Sequence, residues 1–386
     1  MSELTYRTAG ESHGRALTVL IEGLPAGLTV DADFVNAELR RRQGGYGRGG
    51  RMRIEQDAVT VLSGVLRGLT IGSPLVFEIP NRDFRIDEAP EISRPRPGHA
   101  DLAGSLKWLT TDCRATLERA SARETAGRVA AGALAKLLLR EFGVVCVGFV
   151  TAIGPAQANV PEDRTPVELA AARDANEVYT PDPAAVDAMI AVIHGAKTSK
   201  DTVGGVVEVR VIGVPAGLGT CVAWQQKLDG RLMQAVGSIQ AIKGAEIGLG
   251  FEAARQPGSA VHDALYFDAA QRGSPNFGFV RKTNRAGGIE GGMTNGMPIV
   301  VRAAMKPIST LLQGMDSVNL RTLQPERSDY ERSDVCSVPA ASVVAENVVA
   351  FEIARAWLDK FAGDTLAEVR AAYKYYCDAV RGLAPP

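Results

Sequence analysis

Apolar and polar residues alternate along Val207-Glu208-Val209-Arg210-Val211, a period of two that predicts a strand with one face on the core and one in solvent. Carried to its flanking turn residues, this strand covers Gly204–Ile212. β-Branched and apolar runs predict four more strands, at Thr18–Glu22, Met52–Leu62, Leu75–Ile79 and Pro298–Met305. A period near 3.6 predicts helices over Ala32–Arg42, Leu102–Leu109, Thr125–Phe142, Ala184–His194, Gln226–Ile242, Val343–Phe361 and Thr365–Tyr376. The clearest is Thr125–Phe142. Ala130, Leu134, Leu137 and Leu138 form an apolar stripe, while Arg128, Lys136 and Arg140 line another face, so an amphipathic helix is expected.

One pattern occurs twice. Ile21-Glu-Gly-Leu-Pro-Ala-Gly-Leu28 resembles Val211-Ile-Gly-Val-Pro-Ala-Gly-Leu218, and each copy ends a strand and precedes a helix. Each helix then leads toward a Gly-rich stretch, Gly44–Gly50 or Gly244–Gly250. Two readings stand: a common Pro/Gly turn used twice, or an internal duplication with pseudo-twofold halves of about 1–200 and 201–386. No low-complexity run or charge block cuts the chain, which is read as a single α+β domain over residues 1–386.

Composition narrows the classes. Hydrophobic residues make up 46% and charged residues 23%, as in ordinary globular proteins, so disorder is not expected. The net charge of −1 makes any basic site local and argues against a protein that coats nucleic acid. Five cysteines (Cys113, Cys146, Cys221, Cys336 and Cys377) form no Cys-x-x-Cys pair and are odd in number. They read as reduced cytoplasmic thiols rather than a disulfide framework or zinc site. The N-terminal MSELTYRTAGESHG lacks a basic region followed by an apolar run, and no segment holds eighteen uninterrupted apolar residues. Neither a secretory leader nor a membrane span is predicted.

The most distinctive run is Arg40-Arg41-Arg42-Gln43-Gly44-Gly45-Tyr46-Gly47-Arg48-Gly49-Gly50-Arg51-Met52-Arg53. Gly45, Gly47 and Gly50 fit a G-x-G-x-x-G spacing. They follow a helix and precede a strand, however, the reverse of the order a dinucleotide fold needs. Glycines allow close backbone approach to an anion, and guanidinium forks match phosphate and carboxylate oxygens. Six arginines in fourteen residues repel one another unless an anion or acidic side chains relieve them. A small polyanionic ligand is the favoured reading, with a solvated loop or an RGG-like RNA-binding segment as the alternative.

Of the four histidines, His13 and His99 stand in tight settings. His13 lies in Gly10-Glu-Ser-His-Gly14 and His99 in Arg94-Pro-Arg96-Pro-Gly98-His-Ala-Asp101. Prolines fix φ on both sides of Arg96, and Asp101 is expected to cap the following helix. A histidine flanked by arginines is a candidate general acid; the competing reading is a hydrogen-bonded structural residue. No metal-ligand spacing is present. Three further segments, Glu118–Thr125, Gly287–Gly296 and Glu331–Pro339, add arginines, hydroxyls and glycines that suggest one polar pocket built from many loops.

Seven segments carry a resemblance. GESHG, RRRQGGYGRGGRM, RPRPGHAD, ERASARET, GGIEGGMTNG, MKPIST and ERSD, in this order, resemble the signature segments of the chorismate synthase family, from about Thr8 to about Ala341. The resemblance implies a β-α-β sandwich with antiparallel sheets around a helical layer, and a homotetramer. It implies an anti-1,4-elimination that turns 5-enolpyruvylshikimate 3-phosphate into chorismate and phosphate, with reduced FMN required and no net redox change. By the same resemblance, His13 assists the leaving phosphate, His99 protonates reduced flavin, and Asp334 works as a base with the flavin. Arg119, Ala120, Ser121, Gln240, Ala241, Gly291, Lys306, Pro307, Ile308, Ser309, Thr310 and Arg332 are the implied flavin contacts. Arg42, Arg48, Arg51, Arg96 and Arg123 are the implied sites for substrate phosphate or NADPH. Between Ile79 and Arg94 the chain looks shorter than in some relatives. Some relatives reduce their own flavin with NADPH; with no extra domain in view, an external flavin reductase is expected. The alternative function remains a polyanion- or RNA-binding protein built on residues 40–53.

Overall fold

The alternating runs fold into two antiparallel sheets that enclose a layer of helices. The computed structural model describes residues 3–50, 54–328 and 333–383. The first sheet holds β1 (Thr5–Ala9), β2 (Ala16–Glu22), β3 (Thr60–Ser63) and β4 (Leu75–Pro80), in the order β1-β2-β4-β3. The second holds β5 (Val145–Ile153), β6 (Gly205–Ile212), β7 (Ile242–Ile247) and β8 (Ile299–Met305), in the order β5-β6-β8-β7, with a short strand outside β5. The helices used below are α1 (Ala32–Gln43), α2 (Asp101–Lys107), α3 (Arg114–Ala120), α4 (Thr125–Arg140), α5 (Pro166–Asp174), α6 (Val186–Thr198), α7 (Leu228–Gly237), α8 (Val338–Lys360) and α9 (Leu366–Arg381).

α4 packs on β2 and α8 on β5 and β6, and the two helices pack on each other in the middle, giving a β-α-β sandwich. Their position explains their composition. On α4, 14 of 16 residues are buried, and on α8, 19 of 23, so both must be apolar nearly all round. Gly132 shows how closely they approach, since a Cβ there would lie 2.2 Å from the Asn347 carbonyl oxygen. The amphipathic reading of Thr125–Phe142 is corrected here. Lys136 does not face solvent; it is buried between Glu38 of α1 and Glu346 of α8.

The two sheets repeat one plan. The order β1, β2, α1, β3, β4, α4 is matched by β5, β6, α7, β7, β8, α8, with the same strand order in each sheet. The repeated Gly-x-Pro-Ala-Gly-Leu turns carry the same four hydrogen bonds. Thr70 Oγ1 donates to Pro25 O (2.6 Å) and accepts from Leu28 N (2.9 Å), while Thr294 Oγ1 donates to Pro215 O (2.6 Å) and accepts from Leu218 N (2.8 Å). In the backbone, Gly27 N donates to Thr70 O and Thr70 N to Leu28 O, just as Gly217 N donates to Thr294 O and Thr294 N to Leu218 O. The Gly-rich stretches are not in corresponding places, however. Gly44–Gly50 follows α1, whereas Gly244 lies within β7 and the counterpart of the Arg–Gly run is the short Ser238–Ala241 link.

Other boundaries shift for local reasons. The helix expected to reach Ile242 stops at Gly237, and Ala241 takes φ +68° to start β7. α8 begins at Val338, five residues early, with a proline in its first turn. The strand expected over Met52–Leu62 is regular only from Thr60, because side chains of Gln43, Arg42 and Arg123 hold Glu55 and Asp57; Met52 itself lies outside the described residues. The alternating strand Gly204–Ile212 is buried on both faces, for Arg210 pairs with Glu208 and lies over Phe149 under the 160–161 segment. β5 was hidden in a continuous apolar run, which periodicity cannot separate from a buried helix.

Candidate functional site

His13 sits in the tight β1–β2 connection. Gly10 turns the chain at φ +107°, and Asn81 clamps the loop by donating to Glu11 O (3.2 Å) and Gly14 O (2.7 Å). His13 N donates to Glu118 Oε2 (2.8 Å), and His13 Nδ1 lies 2.9 Å from Glu118 Oε1. Nε2 points the other way, 3.8 Å from Asp83. Glu118 is 2% exposed; burial raises its pKa, yet the hydrogen bonds from His13 and the Arg114 charge outweigh it and hold the carboxyl below its ordinary range. The same network contains the arginines. Arg123 donates from Nε to Asn81 (2.8 Å) and from Nη1 to Asp57 (2.6 Å), and Arg42 donates to Asp57 (2.9 Å). Arg42 Nε and Arg123 Nη2 are buried donors without a hydrogen-bond partner among the described residues.

His99 follows Gly98, whose φ of +78° lets the chain fold back. Its Nδ1 meets Asp101 Oδ1, and Arg96 donates to Asp101 from Nε (2.8 Å) and Nη2 (3.1 Å) and to Thr310 from Nη1 (2.9 Å). Arg96 is therefore occupied in orienting Asp101 and His99. Asp101 is not the expected cap: it is the first residue of α2, wholly buried, and its carboxylate turns back to Arg96. Burial opposes its ionisation, but His99 and Arg96 hold it far below the usual carboxylate range.

Asp334 accepts from Gly49 N (2.6 Å) and Ser337 Oγ (2.6 Å) and pairs with Arg48. A Cβ at position 49 would stand 2.8 Å from Ser333 O, so glycine permits this approach. Ser333 Oγ donates to Thr310 O (3.2 Å), which joins Asp334 to the Arg96–His99 group. His13 belongs to the other network. The segment from Arg42 to Gly49 runs between them, sending Arg42 into one and Arg48 into the other.

The implied flavin contacts form an arc along these networks. Arg119 reaches Thr8 O (3.1 Å) and Gly10 O (3.3 Å), and Thr8 meets Glu124, which also accepts from Gln240 (3.1 Å). Ala241 O accepts from Lys306 N (2.9 Å), and Lys306 to Thr310 continues to Arg96. Ala120 and Ser121 end α3, with Ser121 Oγ 3.0 Å from Ser12 Oγ. Gly291 lies apart, in a hairpin packed on Gly219 and the start of α7. Arg51 and Arg332 lie outside the described residues. The partner carboxylates Glu118, Asp57 and Asp83 escaped the sequence reading. Glu118 had one signal, its place in the Glu118–Thr125 segment; Asp57 and Asp83 had none.

A family model described as chorismate synthase matches residues 4–358. The chain belongs to the chorismate synthase family. It is 53% identical over 391 residues to a chorismate synthase of Desulforudis audaxviator, covering 98% of both chains. It is 54% identical over 397 residues to one of Geobacter metallireducens, covering 98% of this chain and 100% of that one. A crystal structure of chorismate synthase superposes with a TM-score of 0.81 at 39% identity, over 99% of this chain and 100% of that one. The RNA-binding alternative finds no support: Arg41, Arg42 and Arg48 are engaged by carboxylates rather than presented along a strand-binding groove. Among the described residues, no helix is long and apolar enough to cross a membrane.

Proposed function

We propose that the chain converts 5-enolpyruvylshikimate 3-phosphate to chorismate and phosphate by 1,4-elimination, using reduced FMN without net redox change. The observation that carries this reading is common to His13 and His99: each presents Nδ1 to a buried carboxylate. Such a partner fixes Nδ1 as the hydrogen-bearing nitrogen and leaves Nε2 to move a proton. In this reading His13 gives a proton from Nε2 to the departing phosphate. His99 holds one next to Gly98, which faces Lys306 Nζ and Ser309, and Asp334 receives the proton lost from C6. Departing phosphate gathers negative charge, and preoriented cationic donors stabilise it. Arg42 Nε and Arg123 Nη2, which donate no hydrogen bond among the described residues, suit that task, Arg123 Nη2 with Glu55 at 3.9 Å.

The residues fit a phosphorylated cofactor as well. Among the described residues, Lys306 Nζ has only long contacts, to Pro307 O (3.4 Å) and Ser309 Oγ (3.5 Å). Burial, with the charge of Lys243, draws its pKa below the ordinary lysine value, a setting that an anion would relieve. Arg119 to Ser121, Gln240, Ala241 and Lys306 to Thr310 would hold reduced FMN, with Gly291 and Arg332 assigned by resemblance alone. When bound, reduced FMN supplies electron density to the substrate as phosphate leaves.

Under the same reading the protein is a cytoplasmic homotetramer whose flavin is reduced by an external reductase. Exposed Leu62, Leu66 and Ile71 support assembly, and five unpaired thiols support the compartment. An anaerobic assay with chemically reduced FMN tests the activity: equal yields of chorismate and phosphate are expected, and no product would overturn it. NADPH with oxidised FMN should give no turnover; turnover would instead assign the reductase activity to this chain.

A further inference from the structure

A second buried charge cluster lies beneath the site. Glu346 of α8, 1% exposed, accepts from Arg41 Nη2 (2.9 Å) and Nη1 (3.3 Å), Arg173 Nη1 (3.0 Å) and Gly148 N (2.8 Å), and also meets Lys136. Glu38 accepts from Arg41 (2.7 Å), Lys136 (2.9 Å) and Asn347 (2.9 Å). Burial opposes the charge on Glu346, but Arg41, Lys136 and Arg173 together hold it well below the usual range. None of these residues has a role in the proposed reaction.

Their placement links them to it. Arg41 precedes Arg42 on α1, and its carbonyl accepts from Tyr179 Oη (3.0 Å) and Gly44 N (3.1 Å), where the Arg–Gly run departs. Glu346 lies on the helix whose approach carries Asp334 and Ser337. The two helices and the segments that extend them therefore meet at two levels: Arg41 of α1 with Glu346 of α8 inside, and Arg48 beyond α1 with Asp334 ahead of α8 at the site. Between these levels the packing is tight, since a Cβ on Gly45 would come 2.6 Å from Pro339 Cβ. A bidentate guanidinium–carboxylate pair fixes both distance and orientation.

We infer that Arg41 and Glu346 are positioning residues, which set α1 against α8 and thereby hold Arg48 and Gly49 on Asp334. This rests on the proposed elimination for its kinetic consequence but not for its structural one.

The test compares Arg41→Gln with Arg173→Gln. Both remove a cation from Glu346, but Arg173 belongs to α5, and among the described residues its hydrogen bonds go to Glu346, Gly148 and Asp174 rather than to α1 or the Arg–Gly run; Asp174 in turn lies 3.9 Å from Arg41 Nε. A cavity of about 150 Å³ borders the cluster, with room for water to solvate either vacancy. Both variants should lose similar thermal stability. Only Arg41→Gln should lower kcat/KM, by about tenfold, and only it should speed amide exchange over residues 44–49 by about tenfold. Should Arg41→Gln fail to fold, Arg41→Lys keeps the charge without the fork and should lose about threefold in kcat/KM. Unchanged kcat/KM and exchange in the Arg41 variants, or equal losses in Arg173→Gln, would overturn the inference. An inactive wild type would instead unseat the proposed reaction, while the exchange comparison would still decide the positioning role.

Discussion

The two halves of the sandwich share strand order, helix placement and the hydrogen bonds of one turn, yet their connections differ in almost everything. In the first half, β1 and β2 are joined by the short loop that carries His13; in the second, β5 and β6 are separated by residues 154–204, with α5 and α6. After α1 comes the Arg–Gly run, and after α7 only the link with Gln240 and Ala241. Between the last strand and the central helix, the first half places Arg96, His99 and Glu118, and the second Lys306 to Thr310 and Asp334. The scaffold repeats where burial and backbone hydrogen bonding constrain it. The residues proposed for the chemistry sit on the connections, where sequence is free to diverge.

The comparison predicts different outcomes for connections and scaffold. Asp334→Asn, in a connection, should leave the fold intact and cut kcat by about 10²- to 10⁴-fold; near-normal turnover would remove Asp334 from the chemistry. Gly132→Leu, in the shared central layer, drives a side chain into the Asn347 backbone. It should cost roughly 3 kcal/mol or more by denaturant unfolding, and a loss within error would show that the two central helices can move apart. Thr70→Val and Thr294→Val each break two buried side-chain hydrogen bonds of the same geometry. Equal losses of about 2 kcal/mol are expected, and clearly unequal losses would mean that the halves are not mechanically equivalent.

The smallest effect concerns pH. Glu118 has a folded pKa below its unfolded value, so its contribution is present above the unfolded value and fades as pH falls through the folded one. The stability gap between wild type and Glu118→Gln should be widest near neutral pH and narrow toward about pH 3. A gap that widens in acid would reverse the assigned direction.

Much of this was legible in the chain. The seven ordered segments pointed to the family, and five helices and four strands fell close to their predicted positions because periodicity reports burial directly. What escaped were partnerships. His13 meets Glu118 across 105 residues and Lys136 meets Glu346 across 210, and no local pattern encodes such a pairing. Lys136 looked like a solvent-facing residue because its partners are supplied by α1 and α8. Asp101 looked like a helix cap because capping is the commoner use of an aspartate there; instead it is buried against Arg96, whose guanidinium also donates to Thr310, far along the chain. The six arginines allowed two kinds of relief, and folding supplied acidic side chains to Arg41, Arg42 and Arg48.

The central claim is that His13 and His99 move protons through Nε2 while buried carboxylates hold Nδ1. Steady-state turnover of His13→Ala and His99→Ala, measured beside a flavin titration, tests it most directly. Each variant should bind flavin as wild type does and lose about 10²- to 10⁴-fold in kcat. Full turnover in either one would contradict the claim.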